Sequence, residues 1–249
     1  SDVCSSDLTY YFCAIAESAA GTSFGAVLTF TTPAAPAVVT NPATQVTGAG
    51  ATLNGAASPN TLATTGWFRY STSNPGSCND TFGTRAPSSG GVALGAGGAS
   101  VAYSEVVSGL TPGTVYYFCA IAQNSVGTSV GSVLTLTTGR VPTVTTSAAT
   151  LLTATGATLN GSANPNSDAT TGWFRYAATD PGTCSDTFGT RAPTASGTSL
   201  GAGAAAQAYS VALTGLSPAT TYYFCAIAAS SGGTAFGAVL TFTTPAAAT

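Results

Sequence analysis

The sequence contains no lysine, no histidine and no methionine, and its only cations are five arginines set against eight acidic residues. Without histidine it lacks the side chain that most often carries general acid–base catalysis near neutral pH. Hydroxyl nucleophiles need an adjacent base, and the few carboxylates lie in loops or differ between the repeats described below. No pair of acids recurs on facing strands, as glycoside hydrolysis would require. No glycine-rich segment opens a helix, so Gly-Ala-Gly-Gly at 95–98 is expected to be a flexible loop, not a phosphate cradle. The chain is therefore not expected to be an enzyme or to hold a cofactor. A net charge of −3 gives no basic footprint, which argues against nucleic acid as a partner. Long hydrophobic runs are missing too: the dense apolar stretch 10–16 falls far short of the ~18 residues a membrane span needs. No secretory leader pattern is visible at the start. Asp80, Asp180 and Asp186 give each repeat one or two carboxylates near one loop. A calcium ion wants six or more oxygens, so no metal is expected.

What the chain does have is small and hydroxylated residues. Charged residues make up only 5% of it, unlike the Lys- and Glu-rich surface of a typical cytosolic enzyme. That balance suits an extracellular stalk.

The dominant signal is internal repetition. Tyr-Tyr-Phe-Cys-Ala-Ile-Ala begins at Tyr10, Tyr116 and Tyr222, and Gly-Trp-Phe-Arg-Tyr begins at Gly66 and Gly172, always 106 residues apart. Residues 33–138 and 139–244 align without a gap, with roughly six positions in ten identical. A unit of this length is a whole domain and not a solenoid repeat. Two domains, 33–138 and 139–244, are expected, preceded at 9–32 by the last part of a truncated domain. Residues 245–249 read as the start of a further linker, and the chain as a fragment of a longer array. The opening octapeptide, 1–8, does not fit the repeat; it resembles the translation of a sequencing adaptor and is set aside, Cys4 with it.

Each unit reads as all-β. Short runs rich in Thr, Val and aromatics alternate with Gly, Pro, Asn and Ser clusters, the pattern of a sandwich or barrel. In the first repeat, strands are expected near 37–40, 51–57, 65–71, 101–107, 114–122 and 129–137. The segment 72–100 is expected to hold one short strand around 78–85 and then a mobile loop.

Leu110-Thr-Pro-Gly-Thr-Val-Tyr116 and Leu216-Ser-Pro-Ala-Thr-Thr-Tyr222 resemble the approach to strand F of fibronectin type III domains. Ala51-Thr-Leu-Asn-Gly55, Phe68-Arg-Tyr70 and Leu134-Thr-Leu-Thr-Thr138 are similar to bacterial surface repeats of that family. The resemblance spans 9–244 and implies tandem immunoglobulin-like β-sandwiches. It also implies a tyrosine corner, in which the inward Tyr116 or Tyr222 ties its hydroxyl back to the preceding turn. One departure from the family is the pair of cysteines in each repeat, Cys78 with Cys119 and Cys184 with Cys225. Matched thiols in a histidine-free context read as disulfides, not as a zinc site. Disulfides persist in oxidising compartments, so an extracellular or cell-surface location is expected. Cys13 corresponds to Cys119 but has no counterpart of Cys78.

Alternation along the strands turns Tyr116, Phe118, Phe68 and Tyr70 inward. It turns Trp67, Arg69, Tyr117, Cys119 and Ile121 outward, with Trp173, Arg175, Tyr223, Cys225 and Ile227 matching them. Two readings of this outer face are open. Exposed Trp, Tyr and Arg could form a ligand platform for glycans or for other surface proteins. Alternatively, Trp67 covers the disulfide while the long loop folds over both. Asp80 with Arg85, and Asp186 with Arg191, are expected to pin that loop as local ion pairs. Glu105 shares a face with Tyr103 and is expected on an edge strand, where its carboxylate reaches water. Overall, a non-catalytic spacer or adhesion scaffold on a bacterial surface is expected, with short linkers at 33–36 and 139–142 favouring stiffness. The alternative is a carbohydrate-binding module attached to a secreted polysaccharide-active enzyme. No obligate oligomer is expected.

Overall fold

A computed structural model describes residues 8–248, so the adaptor reading of 1–8, Leu8 excepted, and the last linker residue lie outside the described residues. The described residues form strands and no helix, and so no helix long and apolar enough to cross a membrane. Four short strands come first: β1 Thr9–Phe12, β2 Ile15–Ser18, β3 Gly21–Phe24 and β4 Leu28–Thr31. Strand β1 pairs with β4, and β2 with β3. The chain divides into two compact units, β1–β4 grouping with the first, and the main break between them along the sequence falls between Leu136 and Thr137.

The first unit's other strands are β5 Ala37–Thr44, β6 Gly50–Ser58, β7 Thr64–Ser71, β8 Thr84–Ala86, β9 Val92–Gly95, β10 Val101–Ser108, β11 Val115–Gln123, β12 Thr128–Val130 and β13 Leu134–Thr137. One sheet has the order β10-β6-β5; the other runs β12-β11-β7-β8, with β13 also on β11 and β9 also on β7. The second unit repeats this with β14 Thr143–Thr153, β15 Gly156–Asn164, β16 Thr170–Ala177, β17 Thr190–Ala192, β18 Thr198–Gly201, β19 Gln207–Thr214, β20 Thr221–Ser230, β21 Gly233–Phe236 and β22 Leu240–Thr243. Both units are therefore antiparallel β-sandwiches of the immunoglobulin-like, fibronectin type III-like kind.

Period-two patterning builds the core. Along β6 half-buried and buried residues alternate without a break, and Ala51, Leu53 and Ala57 all turn inward. Phe68, Tyr103, Val107, Tyr116, Phe118, Ala120 and Leu136 on the other strands of the unit are buried as well. Small residues let the sheets close up. A Cβ on Gly55 would stand 2.7 Å from Ala120 Cβ, which explains why glycine occupies an inward position of β6. The two sheets are also tied by polar bonds: Ala120 N–H donates to Thr40 Oγ1 at 3.0 Å, and Ala226 N–H to Thr146 Oγ1 at 3.0 Å, both in buried surroundings. Each such bond contributes about 1 kcal/mol and would cost more if one partner were left unsatisfied.

Several strands differ from expectation for identifiable reasons. Strand β5 runs past Asn41-Pro42 to Thr44, with a register shift after Asn41. Proline is admitted at such an irregularity, and Asn54 Nδ2 donates to the Pro42 carbonyl at 2.9 Å. The expected strand 129–137 is two strands, β12 and β13. Between them a Cβ on Gly131 would collide with Thr40 Oγ1, so the backbone passes close to β5 while Gly131 N–H donates to Ala120 O at 2.8 Å. The segment 72–100 holds two strands, β8 and β9, and both pair with β7. The span 78–82 is not a strand. Strand β10 lies at a sheet edge, and Glu105 on it is half-buried. The expected tyrosine corner is present in the second unit, where Ser217 N–H donates to the Tyr222 hydroxyl at 3.0 Å.

A second tyrosine goes deeper. Tyr103 lies over Gly66, where an added Cβ would stand 2.8 Å from the ring, and its hydroxyl donates to Ile121 O at 2.9 Å. Tyr209 does the same over Gly172, donating to Ile227 O at 2.9 Å. Burial pushes both phenols well above the usual tyrosine range, and the hydrogen bonds to the Ile carbonyls only partly offset it. A raised folded-state pKa leaves stability intact below the ordinary tyrosine pKa, about 10, and erodes it as pH climbs beyond that value. Alkaline unfolding is accordingly expected above about pH 10. The Tyr103→Phe/Tyr209→Phe protein should lose about 1 kcal/mol per unit at neutral pH yet show a shallower alkaline decline. Urea titrations at stepped pH measure both effects.

A candidate functional site on the disulfide face

The middle of each larger sheet is the pairing of the two strands that carry the longest shared motifs. In the first unit β11 runs antiparallel to β7 with Cys119 opposite Arg69, Ile121 opposite Trp67 and Tyr117 opposite Ser71. One face of this pair enters the core. The other gathers Trp67, Cys119 and Ile121, all buried, with Cys78 and Phe82 packed against them. The same face of the second unit gathers Trp173, Cys225 and Ile227 with Cys184 and Phe188.

The loop after β7 closes this face. Cys78 is bonded to Cys119, and Cys184 to Cys225. Two residues past Cys78, Asp80 Oδ1 accepts Trp67 Nε1–H at 2.8 Å and Arg69 Nε–H at 3.0 Å. Asn79 Oδ1 accepts the backbone N–H of Thr81 at 2.9 Å and of Phe82 at 3.0 Å, which turns the chain and drops Phe82 into the cluster. Arg85, on β8, lays its guanidinium 4.6 Å from the centre of the Trp67 ring. It also donates to Pro87 O at 2.9 Å and to Gly90 O, which holds the next part of the loop. In the second unit Trp173, Arg175, Asp186 and Arg191 repeat these contacts at matching distances, with Ser196 O as the last acceptor.

The geometry places the paired cysteines, the tryptophans and their neighbouring arginines and tyrosines. Both disulfides are present. Trp67 and Trp173 are 4% and 7% exposed, enclosed by the disulfide, the phenylalanine and the stacked arginine. Arg69, Arg175, Tyr117 and Tyr223 are half-buried. The expected pairings of Asp80 with Arg85 and of Asp186 with Arg191 are corrected: the carboxylates pair with Arg69 and Arg175, each at 3.0 Å. Arg69 stands one alternation beyond Trp67 on the same face of β7, so one carboxylate bridges indole and guanidinium. Arg85 is thereby freed to cover the ring. Phe82 and Phe188 were not singled out in the sequence; their signal was the fixed spacing of four residues from each loop cysteine.

The energetic ranking follows from exposure. The Asp80 carboxylate is 43% exposed, so its pairing with Arg69 is worth at most about 1 kcal/mol. The guanidinium–indole contact adds about as much. Burial of the indole and closure of the disulfide loop dominate.

No protein-family model matches the sequence, and no curated protein matches it. Among solved structures the chain is similar to the FN1–FN3 domains of chicken CNTN1, at 17% identity and a TM-score of 0.41, covering 95% of this chain and 76% of that one.

Two measurements check the site. Acrylamide should quench the emission of both tryptophans weakly in the oxidised native protein, and strongly only after unfolding. Asp80→Asn, which keeps an acceptor for the indole N–H, should cost under about 1 kcal/mol. Trp67→Ala should cost about 3–5 kcal/mol in the first unit, read from urea unfolding.

Proposed function

We propose that the chain is a non-catalytic extracellular array whose sandwiches serve as spacers or scaffold, on the bacterial surface that the sequence resemblance implies. The observation that carries this reading is the repeated disulfide-and-tryptophan lock. In both units the residues with the most recognition chemistry are spent on closing a loop over the sheet. What remains outward is chiefly Thr, Ser, Ala and Gly, suited to solvation and not to capture of a specific ligand. Disulfides persist in oxidising compartments, which supports placement outside the cytosol. A glycan platform on Trp67 and Trp173 would need open indole faces, and both rings are enclosed.

The intact oxidised chain, incubated with cellulose, chitin, peptidoglycan and immobilised matrix proteins, is expected to be retained on none of them above an albumin control. Retention on one polysaccharide that a soluble oligosaccharide of the same sugar abolishes would replace the spacer reading with a glycan-binding one. Reduction is expected to remove about 4 kcal/mol from each unit, the chain-entropy value for a loop of this length. The measurement is the loss in urea midpoint on adding dithiothreitol.

A further inference from the structure

Each sheet of the two sandwiches has edges, and a bare edge strand invites pairing with another chain. Short strands, proline, register irregularities and inward charges are the devices that blunt an edge. Nearly every edge here carries one. In the larger sheets the outermost strands are only three or four residues long: β8, β9, β12 and β13 in the first sandwich, β17, β18, β21 and β22 in the second. At one edge of the smaller sheets, β5 contains Pro42 and shifts register after Asn41. Its counterpart β14 shifts register twice, between Ser147 and Thr150 and between Thr150 and Thr153. At the opposite edge of the first sandwich, β10 turns the half-buried Glu105 to the face that carries the buried Tyr103 and Val107.

Strand β19 has none of these. It is eight residues long and pairs with β15 without a shift, from Gln207 opposite Ala163 to Thr214 opposite Gly156. Among the described residues it pairs with no other strand. It contains no proline and no charged side chain, and the sequence has no charged residue after Arg191. Where β10 has Glu105, β19 has Val211, half-buried and packed on the core of its sandwich. The exchange removes the charge that blunts the equivalent edge of the first sandwich.

We propose that β19 is a self-association edge, at which two copies of this chain join their three-stranded β14-β15-β19 sheets antiparallel across a two-fold axis. Charge and symmetry select a second copy as the occupant. A two-fold axis normal to the sheet sets each residue opposite one on the same face, so the strand turns about a single residue. Turning about Val211 sets it opposite Val211 of the second copy and sets Tyr209 opposite Leu213. On the outer face Ser210 then stands opposite Ala212, and Ala208 opposite Thr214. Apolar side chains meet on the core side, small exposed ones meet on the outer side, and no charge enters the contact. The same operation on β10 sets Glu105 opposite Glu105, and like charges directly opposite disfavour pairing. The contact therefore belongs to the second sandwich. Its main-chain hydrogen bonds need no recognition side chain, so it is compatible with the spacer reading and independent of it.

The test uses the full oxidised chain with Cys4→Ser and Cys13→Ser, which prevents intermolecular disulfides. In sedimentation equilibrium the average mass should climb from monomer towards dimer as the concentration rises to about 1 mM, the weak end of association. Hydrogen exchange over the same range should slow at the amides of 208–214. Val211→Glu gives β19 the residue that β10 already accommodates, and its urea midpoint checks that the sandwich stays folded. It should lower the association constant at least about tenfold. Val211→Thr, neutral and β-branched, should retain association. A mass that stays monomeric throughout would overturn the proposal. So would association undiminished in Val211→Glu or lost in Val211→Thr, or protection gained elsewhere and not at 208–214.

Discussion

The antiparallel pairing of β7 with β11, and of β16 with β20, is the constraint on which each unit rests. It presents Phe68, Phe118 and Ala120 to the core while turning Trp67, Cys119 and Ile121 to the far side. A shift of one residue would exchange these sets, placing the disulfide in the core and phenylalanines in water. The disulfide and the indole lock therefore stabilise more than a loop: they fix which residue of β7 stands opposite which residue of β11. The hydroxyls of Tyr103 and Tyr209 reach the same ladder from the core side, at Ile121 and Ile227. Register is thus held from both faces.

The two units solve the same problems with different side chains where the sheet does not dictate the answer. Asn124 donates to Ala34 O at 2.8 Å and accepts from Val126 N–H and Gly127 N–H, bracing the turn after β11. Its equivalent is Ser230, whose hydroxyl donates to Arg140 O, the residue equivalent to Ala34. Asn79, which turns the loop after Cys78, is replaced by Ser185, paired with Thr187. The Gly-Trp-Phe-Arg-Tyr and Tyr-Tyr-Phe-Cys-Ala-Ile-Ala strings are identical in the two units, where each has residues buried on both faces of its strand.

Those same two strings are why the architecture was legible in the sequence. Their period marked the repeat, and their alternation separated core from outer face. The cysteine spacing gave the bridges. Less legible was anything decided across space. Strands of three or four residues, such as Thr84–Ala86 and Val92–Gly95, are too short for alternation to register, and they exist because the open edge of β7 pairs with them. The partner of Asp80 was misassigned because proximity along the loop favoured Arg85, whereas strand geometry sets Arg69 beside Trp67. The enclosure of the indoles depends on Phe82 and Arg85 arriving together, which no local pattern encodes.

Four of the five arginines, Arg69, Arg85, Arg175 and Arg191, are committed to the two locks. With no lysine in the chain, Arg140 is the one side-chain cation outside them. The surface therefore has almost no positive charge to steer a partner or to attract a polyanion. Its contacts with its surroundings have little for counter-ions to screen. An array of such units would keep the same associations in fresh water and in brine, a tolerance that a salt-bridged surface could not provide.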